Sequence, residues 1–175
     1  MDMHKIAGLA RKSGKLIVEK VDDHNFYVTD TYFVIKVNDI EFGEFFSKYN
    51  SYKSTVNIPF SFEGAITLDP AGDKFIDAEI NNKVILDGVK EAKETKITPF
   101  IKNMDDREAR IFSIKGGELG IINRKYEVFL DEEFEYKAPD KFGPLFVIDE
   151  GVTRVVIMPI RQKVSIADEL KGLIR

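Results

Sequence analysis

The run from Phe26 to Val37 (FYVTDTYFVIKV) passes directly into NDIEFGEFFSKYN, and this change of period constrains the chain more than any other feature. The first segment is dense in Phe, Tyr, Val, Thr and Ile, the side chains that suit a pleated, half-buried sheet. In the second, Phe42, Phe45, Phe46 and Tyr49 recur at i, i+3, i+4 and i+7, which is one face of a helix. Asn38 and Asp39 stand between them as an N-cap, and Glu41 and Glu44 come next, where the helix dipole favours acids. A chain built this way needs a sheet and a helix packed on one another.

The flanking sequence extends that pattern. A helix is expected over about residues 3 to 13, with Ile6, Leu9 and Ala10 on one face, Lys5 and Lys12 on its flank and Arg11 opposite. Ser13-Gly14 ends it. Leu16-Ile17-Val18 and a turn at Asp22-Asp23 lead into the long strand. From Ser54 to Lys115 the chain reads as short strands, with Asn81-Asn82 as a tight turn between Phe75–Ile80 and Lys83–Leu86. Gly116-Gly117 closes the strand Ala109 to Lys115. Ile122, Tyr126, Phe129 and Leu130 then share a helical face, with Asn123 as cap and Arg124 and Lys125 in the first turn. A last β-pair, Leu145–Asp149 and Thr153–Ile160, is joined at Glu150-Gly151, and Met158-Pro159 makes its second strand an edge, since Pro cannot donate to a ladder. A tail helix is expected from Ser165, capped by Ser165 and Asp168, with Ile166, Leu170 and Leu173 along one edge. Strands joined by short turns outnumber helices, so the predicted class is α+β with a mostly antiparallel sheet.

Composition narrows the function. The 175 residues are 43% hydrophobic and 32% charged, enough for a real core and no general disorder. No apolar run approaches the roughly 18 to 20 residues that span a bilayer, and the first residues lead into no signal-peptide core. A cytoplasmic protein without a membrane partner is expected. With no cysteine, disulfides, thiolate zinc sites and cysteine nucleophiles are excluded together. The net charge of −4 argues against a simple basic DNA-wrapping protein. The charge is uneven, however: His4 to Lys15 holds four bases (Lys5, Arg11, Lys12, Lys15) and no acid, and Glu127 to Asp140 holds six acids against one lysine. Such a basic stripe can meet phosphates on an acidic body, and it is also what an ordinary solvated helix face looks like.

Catalytic signals are missing. Only His4 and His24 offer imidazoles, there is no Gly-x-Ser-x-Gly elbow and no His-x-x-x-His pair, and Asp22-Asp23 and Asp105-Asp106 are adjacent acids of the kind that mark turns. Gly116-Gly117 lacks the spacing and trailing Lys-Ser/Thr of a phosphate loop. No catalytic residue, metal ligand or cofactor is assigned. Asp30 is conspicuous, because an acid inside an apolar strand is costly unless paired or set at a bulge.

Several segments together resemble the bacterial DNA sliding clamps, the β subunit of the replicative polymerase. Gly143-Pro144-Leu145-Phe146-Val147-Ile148 and Val155-Val156-Ile157-Met158-Pro159-Ile160-Arg161 are similar to the clamp's closing strand pair, and Ile122-Asn123-Arg124-Lys125-Tyr126 to its Asn-x-x-Tyr helix opening. Phe26-Tyr27-Val28-Thr29-Asp30-Thr31 resembles the clamp strand ending in Thr-Asp-Gly, with Thr31 where the clamp pattern has Gly. The resemblance implies a DNA-clamp-like module over residues 1–161, with two core helices and two pseudo-repeated halves (about 1–65 and 106–161) around a β-rich middle, and a tail helix over 162–175. It implies a non-enzymatic, DNA-associated processivity or tethering factor, and the small size fits a phage or mobile element. Its DNA-facing residues would be Lys5, Arg11, Lys12, Lys15, Arg124 and Lys125. Thr29, Asp30, Val156, Met158, Pro159, Ile160 and Arg161 would border a groove for clamp-binding peptides of replication proteins. Several copies would be needed for a ring, so a homo-oligomer is expected. The alternative is a β-rich structural or interaction protein that ignores DNA.

Overall fold

The computed structural model describes residues 1–14, 16–50, 63–68, 75–77 and 82–161. Lys15, Asn81 and the expected tail helix over 162–175 lie outside the described residues. The fold is α+β with extensive antiparallel sheet, and the chain divides into two compact units, Met1–Ile85 and Leu86–Arg175.

The first unit begins with α1 (Met3–Ser13), as expected. Asp2 caps it, its Oδ1 accepting the backbone N–H groups of His4 and Lys5 at 3.1 Å each. Gly14 ends it in the left-handed conformation, φ +82°, which glycine adopts without a Cβ penalty. Met3, Ile6, Ala7, Leu9 and Ala10 form its buried face. Among the described residues five strands follow, in the sheet order β5-β4-β1-β2-β3: β1 (Leu16–Lys20), β2 (Asn25–Thr29), β3 (Phe33–Asn38), β4 (Ala65–Leu68) and β5 (Phe75–Asp77), with these pairings antiparallel.

The single strand expected from Phe26 to Val37 is therefore a hairpin. It bends at Asp30–Tyr32, where Asp30 Oδ1 accepts the N–H groups of Tyr32 (2.9 Å) and Phe33 (3.0 Å). Thr29 Oγ1 donates to the Phe33 carbonyl, so β-prone residues give way to side chains that bond their own backbone. Helix α2 (Asp39–Asn50) starts on a reciprocal capping box: Asn38 Oδ1 accepts from the Glu41 N–H at 2.9 Å, and Glu41 Oε2 from the Asn38 N–H at 3.0 Å. Its aromatic face works as the periodicity predicts. Phe45 and Tyr49 are buried with ring centroids 5.9 Å apart, and Phe42 stacks on Phe26 at 4.4 Å.

The expected strand Lys83–Leu86 is instead part of a short helix, α3 (Asn82–Asp87). Glu19, far away on β1, sets its start: Glu19 Oε2 accepts the Asn82 backbone N–H at 3.3 Å and its Nδ2 at 2.6 Å. Local propensity carries no trace of such a remote cap.

Among the described residues the second unit has six antiparallel strands in the order β11-β10-β9-β6-β7-β8: β6 (Lys93–Asn103), β7 (Glu108–Ile114), β8 (Leu119–Asn123), β9 (Glu135–Ala138), β10 (Leu145–Asp149) and β11 (Val152–Ile157). The turn at Gly116-Gly117 holds φ +111° and +90°. The helix expected through Ile122 begins later, because Ile122 pairs with Arg110 in the sheet. Beyond β8 the chain forms one 3-10 helix, Arg124–Phe129, capped by Asn123, with Tyr126 and Phe129 buried. Strand β11 stops at Ile157, so Met158-Pro159 lies past the strand rather than interrupting it. The sheet curls enough for the Ile160 N–H, just past β11, to reach the Ile121 carbonyl on β8 at 3.0 Å. Ile160 packs there against Ala109, Ile111 and Ile121.

Gly120 on β8 sits opposite Phe112 on β7, and a Cβ at Gly120 would lie 2.2 Å from the Phe112 ring. The ring lies over bare backbone. Gly120→Ala is expected to lower unfolding stability by about 1–3 kcal/mol through overpacking, read as a lower urea midpoint, whereas Gly117→Asn in the turn costs less.

Candidate functional site

The expected DNA-facing residues separate into two different environments. On α1, the side opposite the core is formed by His4, Lys5, Gly8, Arg11 and Lys12, spaced i, i+1, i+4, i+7 and i+8. The helix itself contains no carboxylate. Lys5 reaches back to the capping Asp2 at 3.5 Å with its side chain still 73% exposed, and Lys12 is exposed near the helix C-terminus, where the dipole favours cations. Gly8 lies in the middle of this face, and nothing stands within 4 Å of where its Cβ would be. Packing does not require glycine there. A glycine inside a helix nevertheless costs about 1 kcal/mol relative to alanine.

Arg124 and Lys125, in the second unit, are held differently. Arg124 is ion-paired to Glu108 at 2.7 Å and to Glu127 at 3.5 Å, and these carboxylates, Glu108 first, raise its pKa. Lys125 lies 4.7 Å over the Tyr126 ring. The pairing of β7 with β8 brings Glu108 to Arg124, and Glu127 stands three residues on in the same 3-10 helix, so much of its charge is matched within the protein.

The groove residues also divide. Thr29 and Asp30 belong to the first unit and are buried, Asp30 to 2% exposure. Together they form the β2–β3 turn, and Thr31 beside them adopts φ +79°, a conformation β-branched residues seldom hold. In the second unit Val156 is fully buried and pairs with Phe146, Met158, Pro159 and Ile160 are half-buried, and Arg161 is exposed.

No protein-family model, curated protein or solved structure matches this chain. Among the described residues no cluster of three or more His, Asp or Glu is arranged to hold a metal ion, and no helix is long and apolar enough to cross a membrane.

A further site has no motif in the sequence: a cleft of about 930 Å³ in the second unit, between β6 and the loop before β9. Its walls include Lys96, Ile97 and Pro99 on one side and Leu130, Asp131, Glu132, Phe134 and Glu135 on the other. The cleft exists because β6 and β9 pair only over Lys93–Thr95 and then part. The far wall is held by Tyr136, whose hydroxyl donates to the Asp131 carbonyl and accepts the Asp131 N–H at 2.7 Å. The near wall is held by a bulge at Thr98–Phe100: Thr98 Oγ1 donates to the Ile111 carbonyl at 2.8 Å, and Arg110 donates to the Thr98 carbonyl at 3.2 Å. Arg110 is itself anchored to Glu127 at 2.6 Å. The acidic run from Glu127 to Asp140 is the one signal of it that the sequence carries.

Substitutions test both turns. Asp30→Ala leaves the Tyr32 and Phe33 N–H groups without their acceptor and is expected to cost about 1–3 kcal/mol, while Thr31→Gly, relieving the positive φ, holds or raises stability by up to about 1 kcal/mol; urea titrations compare the two. Burial raises the Tyr136 pKa above its ordinary 10.0, so the neutral hydroxyl is the form that the fold favours. Its contribution is complete below that value and is lost as pH rises through the folded pKa. The stability gap between the parent and Tyr136→Phe therefore closes as pH is raised above 10.0.

Proposed function

We propose that this chain is a non-enzymatic, clamp-like, DNA-associated protein, a processivity or tethering factor that holds duplex DNA without reading its sequence. The observation that carries the reading is the face of α1 turned away from its buried side, where the exposed Lys5 and Lys12 and the half-buried Arg11 surround Gly8 and the helix has no acid. Phosphate contacts position a protein on a duplex and specify nothing, as a sliding tether requires. A glycine at the centre of a cationic face lets a sugar–phosphate backbone approach the helix closely, which accounts for a residue that the fold alone would exchange for alanine. An acidic body around one basic element limits the affinity, so the protein is held and not trapped.

A second observation supports the clamp resemblance. Position 31, where the clamp pattern carries glycine, has the left-handed φ that favours glycine, although the residue is Thr. On this reading the protein works as a cytoplasmic homo-oligomer, and replication proteins bring clamp-binding peptides to the Thr29–Asp30 turn and to the Val156–Arg161 segment. Given the ion pairs of Arg124, α1 supplies the larger share of the DNA contact.

Anisotropy titrations of a fluorescent random-sequence duplex against salt test the proposal. Three cations at phosphates predict a slope of log K on log salt near −3, and Lys5→Gln with Lys12→Gln is expected to reduce it by about 2. Gly8→Gln is expected to raise the thermal midpoint, because glutamine is the better helix former, and to weaken DNA binding at least tenfold. A double lysine variant that binds like its parent would leave the alternative, an assembly protein indifferent to DNA.

A further inference from the structure

The cleft of the second unit offers a strand edge. In an antiparallel ladder, successive residues turn their N–H and C=O alternately to one neighbour and then the other. The Lys115 N–H donates to the Glu94 carbonyl at 2.8 Å, so Glu94 faces β7, and Thr95, opposite Tyr136, faces β9. Ile97 is the next residue turned toward β9. Its partner in that register would be Phe134, which the turn closed by Tyr136 has carried out of the ladder. Among the described residues no strand pairs with β6 on that side beyond Thr95. The backbone of Ile97 thus opens into a cleft lined by Ile97, Leu130, Phe134 and Pro99, with Phe100 of the bulge 67% exposed beside it.

The far wall sets the chemistry of an occupant. Asp131, Glu132, Glu133 and Glu135 stand in or next to the loop with no base among them, and all four are exposed. The cationic Arg110 at the near wall is already matched by Glu127, and Glu94 by Lys115 at 2.9 Å. Lys96 and Lys137 also line the cleft, but the four acids of the loop outnumber them, so a complementary segment is positive on the side that meets the loop.

We propose that this cleft binds an extended basic peptide of a partner protein, which adds to β6 at Ile97 as a β-strand, sets an apolar residue against Ile97, Leu130 and Phe134 and turns lysine or arginine toward the Asp131–Glu135 loop. Main-chain bonds give such a complex its affinity, and alternate side chains give its specificity. The walls are set before binding, because Thr98, Arg110 and Tyr136 already hold them, so little ordering is required of the protein. The inference does not depend on the DNA reading, since none of its residues lies on α1.

The test uses the full chain and a fluorescent, end-capped peptide of alternating valine and lysine, titrated by anisotropy. Three controls accompany it: the valine–glutamate peptide, a valine–lysine peptide N-methylated on the residues that would donate to β6, and the variant Glu132→Lys/Glu135→Lys, whose changes are on exposed side chains. Binding of the valine–lysine peptide is expected, with at least a tenfold loss in each control and slower hydrogen exchange at the Ile97 amide. Equal binding of the N-methylated peptide would overturn the proposal in favour of plain charge attraction. It also fails if the valine–glutamate peptide binds as well or if no binding is seen. An Ile97 amide already protected in a dimer that the peptide does not dissociate would make the occupant a second copy of this chain, and that too overturns it.

Discussion

Burying the Asp30 carboxylate costs free energy that the N–H groups of Tyr32 and Phe33 offset, and the architecture of the first unit depends on this exchange. Without it the run from Phe26 to Val37 has every local reason to continue as one strand. With it the run folds on itself, Val28 comes opposite Ile35, and α2 can begin at Asp39, directly after β3. The Asn38–Glu41 capping box then fixes where that helix starts. Phe42 meets Phe26, so the residue opening the hairpin is covered by the helix the hairpin leads into. One polar side chain at the bend thus governs apolar packing several residues away on both sides.

What could be read from the sequence depends on the range of the interactions. Helices α1 and α2 are legible from local signals, the apolar period and Ser13-Gly14 for α1 and the aromatic period with Asn38 and Glu41 for α2, whereas the Asp2 cap of α1 is not among them. The α+β class comes from the same local periods. The hairpin is hidden although its bonds are local, since Thr31 is a poor candidate for a positive φ and strand propensity outvotes the turn. Helix α3 is hidden for the opposite reason, its N-terminal bonds coming from Glu19 across the unit. Ile122 has the spacing of a helix with Tyr126 and Phe129 yet belongs to β8, because pairing with Arg110 overrides a coincidental period. For the candidate site, the cations can be counted in the sequence but their counter-ions cannot. The cleft depends on where β6 and β9 stop pairing, which is a property of the assembled sheet.

The distribution of ion pairs bears on how an acidic chain can carry a basic helix face. Lys20 is drawn to Asp23 at 3.0 Å, Lys115 to Glu94, Arg110 to Glu127 and Arg124 to Glu108 and Glu127. These four cations lie on strands or next to them, where pairing, hairpin turns and the 3-10 helix bring acids alongside. Helix α1 has no acid of its own, and the capping Asp2 reaches Lys5 in its first turn. Segregation of this kind matters more than net charge, since at physiological salt charges are screened beyond about 8 Å and a ligand responds to the nearest side chains.

The two proposed surfaces differ in the forces that hold their ligands, and that difference suits a tether. Contacts between lysine or arginine and phosphate weaken steeply with salt and tolerate any sequence, so α1 would hold DNA loosely and let it move. Backbone bonds at a strand edge are directional, and apolar contacts beside them are insensitive to salt, so the cleft would select and retain a segment of defined pattern. Neither surface needs high affinity alone. When one chain carries both, a bound partner experiences DNA at an effective concentration set by the tether and not by the solution, and avidity exceeds either affinity without any new contact. A single strong DNA site would forfeit this, because a tightly held protein neither slides nor releases its cargo; weak binding on α1 is therefore a requirement of the proposed function and not a shortcoming of the surface.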